Sequence, residues 1–132
     1  MGSLTDSAEN AVLNALMNAA ALGAPATWYI AAFTATPSDA AGGTEATGGG
    51  YARVAVTANT TNFPSASGGA LANGTAIDFP QASGSQGTIT AVAGMSASSA
   101  GTMWWWDDFT GVAIATGDTL RIPVGDLDFT LD

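Results

Sequence analysis

Much of this chain reads as short runs whose side chains divide between two faces with a period of two, the repeat of a β-strand. The clearest run is Thr27 to Thr34, where Trp28, Ile30 and Ala32 point one way and Tyr29, Ala31 and Phe33 the other. Further short runs cover Tyr51 to Thr57, Thr75 to Phe79, Gly87 to Met95, Gly101 to Trp106, Val112 to Ala115 and Thr119 to Val124. Within Gly87 to Met95, Ile89, Ala91 and Ala93 alternate against Thr90 and Val92. Pro123 marks its strand as an edge or a bulge, because proline cannot donate to a sheet ladder. The last strand sets Leu127, Phe129 and Leu131 against Asp126, Asp128 and Thr130, with Asp126, Asp128 and Asp132 forming a solvated side that discourages edge pairing. Gly, Pro, Asn and Ser separate these runs, and 40–50 and 58–73 read as loops.

One stretch has helical spacing instead. From Ser7 to Leu22 the apolar positions Leu13, Leu16, Met17 and Ala20 recur on one face, with Val12 beside them, and Glu9, Asn10, Asn14 and Asn18 oppose them. Asp6 is the expected N-cap with Glu9 in the capping-box position, and Gly23 and Pro25 are the expected stop. The apolar stripe then lies on the chain's own sheet or on a neighbouring subunit. The fold expected is all-β: a jelly-roll-like antiparallel β-sandwich with one N-terminal α-helix. Residues 1–24 form an arm and helix for docking or capping, and residues 25–132 the sandwich.

Composition narrows the chemistry. The chain has no histidine, lysine or cysteine and only two arginines, Arg53 and Arg121. Those missing side chains are the usual proton carriers, nucleophiles and transition-metal ligands, so no catalytic residue, metal or cofactor is expected and the chain is not expected to be an enzyme. A net charge of −9 with so few cations excludes direct nucleic-acid binding and disfavours anionic membranes. Only 10% of residues are charged, which fits surface buried between subunits or a β-protein coated in Ser, Thr, Asn and Gly. The first residues do not look like a signal peptide, and the alanine-rich stretch around 19–26 is too short to span a bilayer.

A few residues stand out as binding candidates. Trp104-Trp105-Trp106-Asp107-Asp108 is the richest cluster; in a regular strand Trp104 and Trp106 share one face and Trp105 takes the other. Such rings fill a core or a subunit interface, or stack on a sugar. The adjacent carboxylates Asp107 and Asp108 point apart in a strand, so they are not a glycosidase pair, and they lack calcium-loop spacing. Arg53, being scarce, is expected to pair with Glu45 or with a carboxylate of a neighbouring subunit. Gly48-Gly49-Gly50 has neither the lysine nor the helix of a phosphate cradle.

Two segments carry a resemblance. Thr27-Trp28-Tyr29-Ile30-Ala31-Ala32-Phe33-Thr34, followed by Gly43-Thr44-Glu45 and Gly48-Gly49-Gly50-Tyr51-Ala52-Arg53-Val54-Ala55-Val56, resembles a group of small structural proteins of tailed bacteriophages. Phe79-Pro80, Gln86-Gly87-Thr88-Ile89-Thr90, Gly117-Asp118 and the alternating C-terminal strand extend it over most of the chain after Gly23. The chain departs in carrying three tryptophans where one is usual. The resemblance implies a virion component: a capsid decoration (cement) protein, or a tail or head fibre module. In the first role it is a homotrimer made in the host cytoplasm, bound to the major capsid protein on the outer capsid surface. Leu13, Leu16, Met17, Arg53, Trp104, Trp105 and Trp106 are the expected assembly interface. In the second role the tryptophans face a host glycan.

Overall fold

A strand with six consecutive apolar residues has two faces to bury, and β2 (Thr27–Ala35), apolar from Trp28 to Phe33, does so: Ile30, Ala31, Ala32 and Phe33 are all buried. The computed structural model describes residues 2–131, which leaves Asp132 outside. It is mostly β with antiparallel sheets and, among the described residues, one helix, consistent with an all-β sandwich. The remaining elements are β1 (Gly2–Leu4), α1 (Asp6–Met17), β3 (Thr44–Glu45), β4 (Val54–Thr57), β5 (Ala70–Ala72), β6 (Ile77–Asp78), β7 (Gly87–Met95), β8 (Met103–Ile114), β9 (Arg121–Ile122) and β10 (Asp128–Thr130). The large sheet runs β3-β2-β7-β8-β1-β10-β5, with β4 sharing the outer edge of β2 with β3. Strand β1 lies between β8 and β10, antiparallel to the first and parallel to the second, so the N-terminal segment shares its sheet with the rest of the chain. No helix of the described residues is long and apolar enough to cross a membrane.

Alternation along β2 divides the core as expected. Trp28, Ile30 and Ala32 join Val56, Ile89, Val92, Trp105, Ile114 and Leu127 on one face, where the β6–β9 ribbon packs through Ile77 and Ile122. Tyr29, Ala31 and Phe33 join Ala91, Ala93, Met95, Met103 and Trp106 on the other. Along β7 the simple alternation fails. Ile89 pairs with Val112 but Ala91 pairs with Asp108, so β8 carries extra residues between them. That bulge turns Ile89 to the face of Val92 instead of the face of Ala91 and Ala93. It also lets Gly101 to Trp106 and Val112 to Ala115, expected as two runs, form one twelve-residue strand.

The helix differs from its sequence pattern at both ends. Its N-cap is Thr5, in extended conformation, whose hydroxyl accepts the Ala8 N–H at 3.4 Å. Glu9 therefore falls one position past the capping box. Thr5 is chosen over Asp6 because it is also anchored in the sheet: its hydroxyl donates to the Met103 carbonyl at 2.9 Å and its N–H to that of Trp104 at 3.0 Å. The helix stops at Met17, not Leu22. Asn18 caps it, Ala19 takes a left-handed φ of 58°, and the Ala20 N–H turns back to Asn14. Only Ala8, Ala11, Val12 and Ala15 of its inner face are covered, and beyond Ala15 nothing packs on the chain to hold further turns.

Buried Asn73 staples the second half of the fold. Its amide donates to the carbonyls of Thr75 (2.8 Å) and Pro123 (3.0 Å), and its side-chain oxygen accepts from Gly125 and Leu127, both at 3.0 Å. The segment 58–73, a loop by composition, thereby delivers β5 to the edge of β10. Asn73→Ala should cost about 3 kcal/mol in chemical denaturation, since four backbone groups, the buried Leu127 N–H among them, lose their partner at once. A loss under about 1 kcal/mol would mean that water replaces the amide. Gly94 is required for a different reason: a Cβ there would overlap the Trp105 indole. Gly94→Ala should lower stability by roughly 2–3 kcal/mol and shift the tryptophan emission, as overpacking does; unchanged emission and stability would show that Trp105 can move aside.

Candidate functional site

The helical residues singled out by spacing do not pack on the chain's own domain. Leu13 is 57%, Leu16 73% and Met17 82% exposed, and they form an apolar ridge along the solvent side of α1. The helix is seated instead by its alanines, whose small side chains bring it close to β1 and β8. The first of the two alternatives, a stripe lying on the chain's own sheet, is thus excluded.

The three tryptophans are split by a second bulge in β8. Met95 pairs with Met103 and Gly94 with Trp105, leaving Trp104 as the extra residue. Trp104 and Trp106 consequently do not share a face: Trp104 and buried Trp105 belong with the Ile30 core, Trp106 with the Phe33 core. Trp28 packs edge-on against Trp104 (6.1 Å between centroids) and Trp105 (6.0 Å), and Phe129 against Trp105 (4.8 Å). The Trp106 indole donates to Asp39 Oδ1 at 3.3 Å, which also accepts from the Ser3 hydroxyl. The rings thus brace the sheet and do not form a common platform.

Arg53 pairs within its own chain. Its Nε and Nη2 donate to Glu45 Oε2 (2.9 Å) and Oε1 (2.7 Å), and its Nη1 to the carbonyls of Ala97 and Ala100. The Tyr51 hydroxyl donates to Glu45 Oε2 at 2.7 Å and accepts the Ala32 N–H at 2.9 Å. This last bond has a topological cause. Strand β3 pairs with β2 from Phe33 outward and β4 pairs up to Ile30, so Ala32 falls in the gap and needs a partner from a side chain. The glycine run 48–50, all at positive φ, makes the turn that places Tyr51 and Arg53 there.

Beside the N-terminus of α1 lies a groove of about 780 Å³ that periodicity gave no reason to expect. Leu4, Trp28, Phe63, Leu71, Phe129 and Leu131 supply its apolar walls over Trp105, and among the described residues Glu9 is the one charged side chain that lines it. The legible hints were Phe63, isolated in a polar segment, and Leu131, which continues the alternation of the last strand yet is exposed. No group of three or more acidic side chains converges as a metal site among the described residues.

The Arg53 guanidinium holds the Glu45 carboxyl below its ordinary range, with Tyr51 adding to the effect against the opposing cost of burial. Burial and the neighbouring Glu45 carboxylate push the Tyr51 hydroxyl far up. A carboxyl depressed in the fold contributes stability above its unfolded pKa and loses it as pH falls through the folded one. Asp107 has the opposite sign, since burial raises its carboxyl. Glu45→Gln should therefore cost roughly 2 kcal/mol near neutral pH, with the difference from wild type shrinking as pH falls below the ordinary carboxylate range. Parallel melting curves of the two proteins across that range would contradict the assignment.

A search of curated proteins finds no match to the chain. The family model described as podophage GP4 fiber I protein gp80 matches residues 3–130, from the first strand of the sheet to the last. The chain belongs to that family of tailed-phage virion structural proteins.

Proposed function

We propose that this chain is a structural subunit of a phage fibre and works by assembly, without catalysis. The observation that carries the reading is the family match over 3–130, whose description names a fibre protein. The side-chain inventory supports it. No histidine, lysine or cysteine is present, and the better-buried of the two arginines is spent on holding β3, β4 and the β7–β8 turn together. The exposed ridge Leu13, Leu16 and Met17 supplies an apolar surface of the kind that assembled proteins cover. A glycan-binding role would have to use Trp104 or Trp106 singly, because their faces diverge.

The test is a reconstruction of the intact virion with the subunit located by a bound antibody fragment. Label along the fibres is expected. Label over the joints between capsomers would overturn the fibre reading in favour of a cement protein seated on the major capsid protein, and the symmetry axis there would show whether it is a homotrimer.

A further inference from the structure

We infer that the Asn73–Gly74 step is a site of covalent modification that the fold holds in check: a chain left unfolded deamidates there and loses its ability to fold. Asn73 is followed by glycine, the one Asn-Gly step in the sequence. With no side chain on Gly74, its backbone nitrogen can approach the asparagine amide carbon unhindered. That nitrogen, on giving its proton to solvent base, attacks Asn73 Cγ. The new N–Cγ bond closes a five-membered succinimide, and the Cγ–Nδ2 bond breaks to release ammonia, which takes up a proton. Water then adds to either ring carbonyl. Breaking the N–Cγ bond leaves an aspartyl residue. Breaking the original peptide bond leaves an isoaspartyl residue, with the chain rerouted through Cβ and Cγ. The net change exchanges an amide and water for a carboxylic acid and ammonia, without oxidation or reduction.

The fold blocks both reacting groups. Asn73 is 2% exposed, and its amide uses both donors, on the Thr75 and Pro123 carbonyls, and accepts twice, from the Gly125 and Leu127 N–H groups. The Gly74 N–H is committed to the Asn62 carbonyl at 2.7 Å. Nor can the fold dispense with the labile pair. A Cβ at position 74 would stand 2.6 Å from the Thr61 carbonyl oxygen and 2.8 Å from the Pro64 ring. The side chain at 73 must donate twice and accept twice in a buried place. The products fail that requirement. A carboxylate only accepts, so a buried charge would face the Thr75 and Pro123 carbonyls. An isoaspartyl link lengthens the backbone between the Asn73 N–H, bonded to Leu127, and the Gly74 N–H, bonded to Asn62, and so breaks their register. Conversion is therefore one-way. Chains that fold promptly are protected, and chains that linger unfolded leave the pool able to assemble.

The test incubates the full chain at mildly alkaline pH with and without guanidinium chloride. Trypsin cuts after Arg53 and Arg121, so one peptide, 54–121, carries Asn59, Asn62 and Asn73, and its fragment masses locate the change. Conversion at Asn73 is expected in denaturant, ahead of Asn59 and Asn62, whose following residues are Thr60 and Phe63. Without denaturant it should run at least about tenfold slower, because it tracks the small population of opened chains. Gly74→Ala, compared in denaturant where its folding does not matter, should slow the step several-fold. Converted chains carry one added negative charge and separate by anion exchange. After dilution from denaturant they should fail to regain the native tryptophan emission, or melt below the unconverted fraction. Equal rates with and without denaturant overturn the inference, as do converted chains that refold and melt like the starting protein. An unchanged rate in Gly74→Ala overturns the choice of site. None of these outcomes depends on where in the virion the chain is placed.

Discussion

The most consequential contact in this molecule is the partly buried pairing of Arg53 with Glu45. The Arg53 side chain is 7% exposed and its guanidinium spends all its forked geometry inside one chain, two bonds on the carboxylate and two on the carbonyls of Ala97 and Ala100. Through Glu45 it holds Tyr51, and through Tyr51 it closes the gap that β3 and β4 leave on β2. Three segments distant in sequence are therefore positioned by one cation. A lysine could not replace it, since a point charge lacks the fork that meets both carboxylate oxygens. Contrast Arg121, which reaches Asp78 at 3.6 Å with both side chains more than half exposed, where a pair contributes little.

How far the fold was legible depended on whether each strand stayed regular. The faces of β2 could be read residue by residue because no bulge interrupts its pairing with β4, and its partition of Trp28, Ile30 and Ala32 from Tyr29, Ala31 and Phe33 is the one observed. The faces of β7 and β8 could not. The register shifts opposite Thr90, where β8 carries two extra residues, and at the Gly94–Met95 step, where it carries one, change which face the side chains beyond them take, and no local preference announces such insertions. The three tryptophans sit at the second of these, so a period of two assigns Trp104 to the wrong side. Strands β1, β3 and β5 were missed because, unlike the equally short β6, β9 and β10, they are not embedded in a longer run of strand-like residues; their neighbours define them.

Candidate residues divide the same way. The choice of Glu45 for Arg53 was among the readings open from sequence because few carboxylates lie near it along the chain. The aromatic groove was not, since its walls come from β1, β2, β5, β8, β10 and the 58–66 loop, and only the folded chain brings them together.

The helix inverts the usual reading of amphipathicity, and that inversion connects the fold to assembly. Spacing identifies the large apolar residues as the buried face, because burying a leucine gains far more than burying an alanine. Here Ala8, Ala11 and Ala15 face inward and Leu13, Leu16 and Met17 outward. An isolated monomer would gain by the reverse arrangement. What prevents it is Thr5: with its hydroxyl bound to the Met103 carbonyl and its N–H to Trp104, the helix enters at a fixed rotation, and that rotation presents alanines to the sheet. The sequence thus accepts a weakly attached helix in order to hold three large apolar side chains in a fixed row. Such a row is uneconomical for a solitary protein and favourable for a subunit, because the burial it forgoes inside the chain becomes available at a contact with another body.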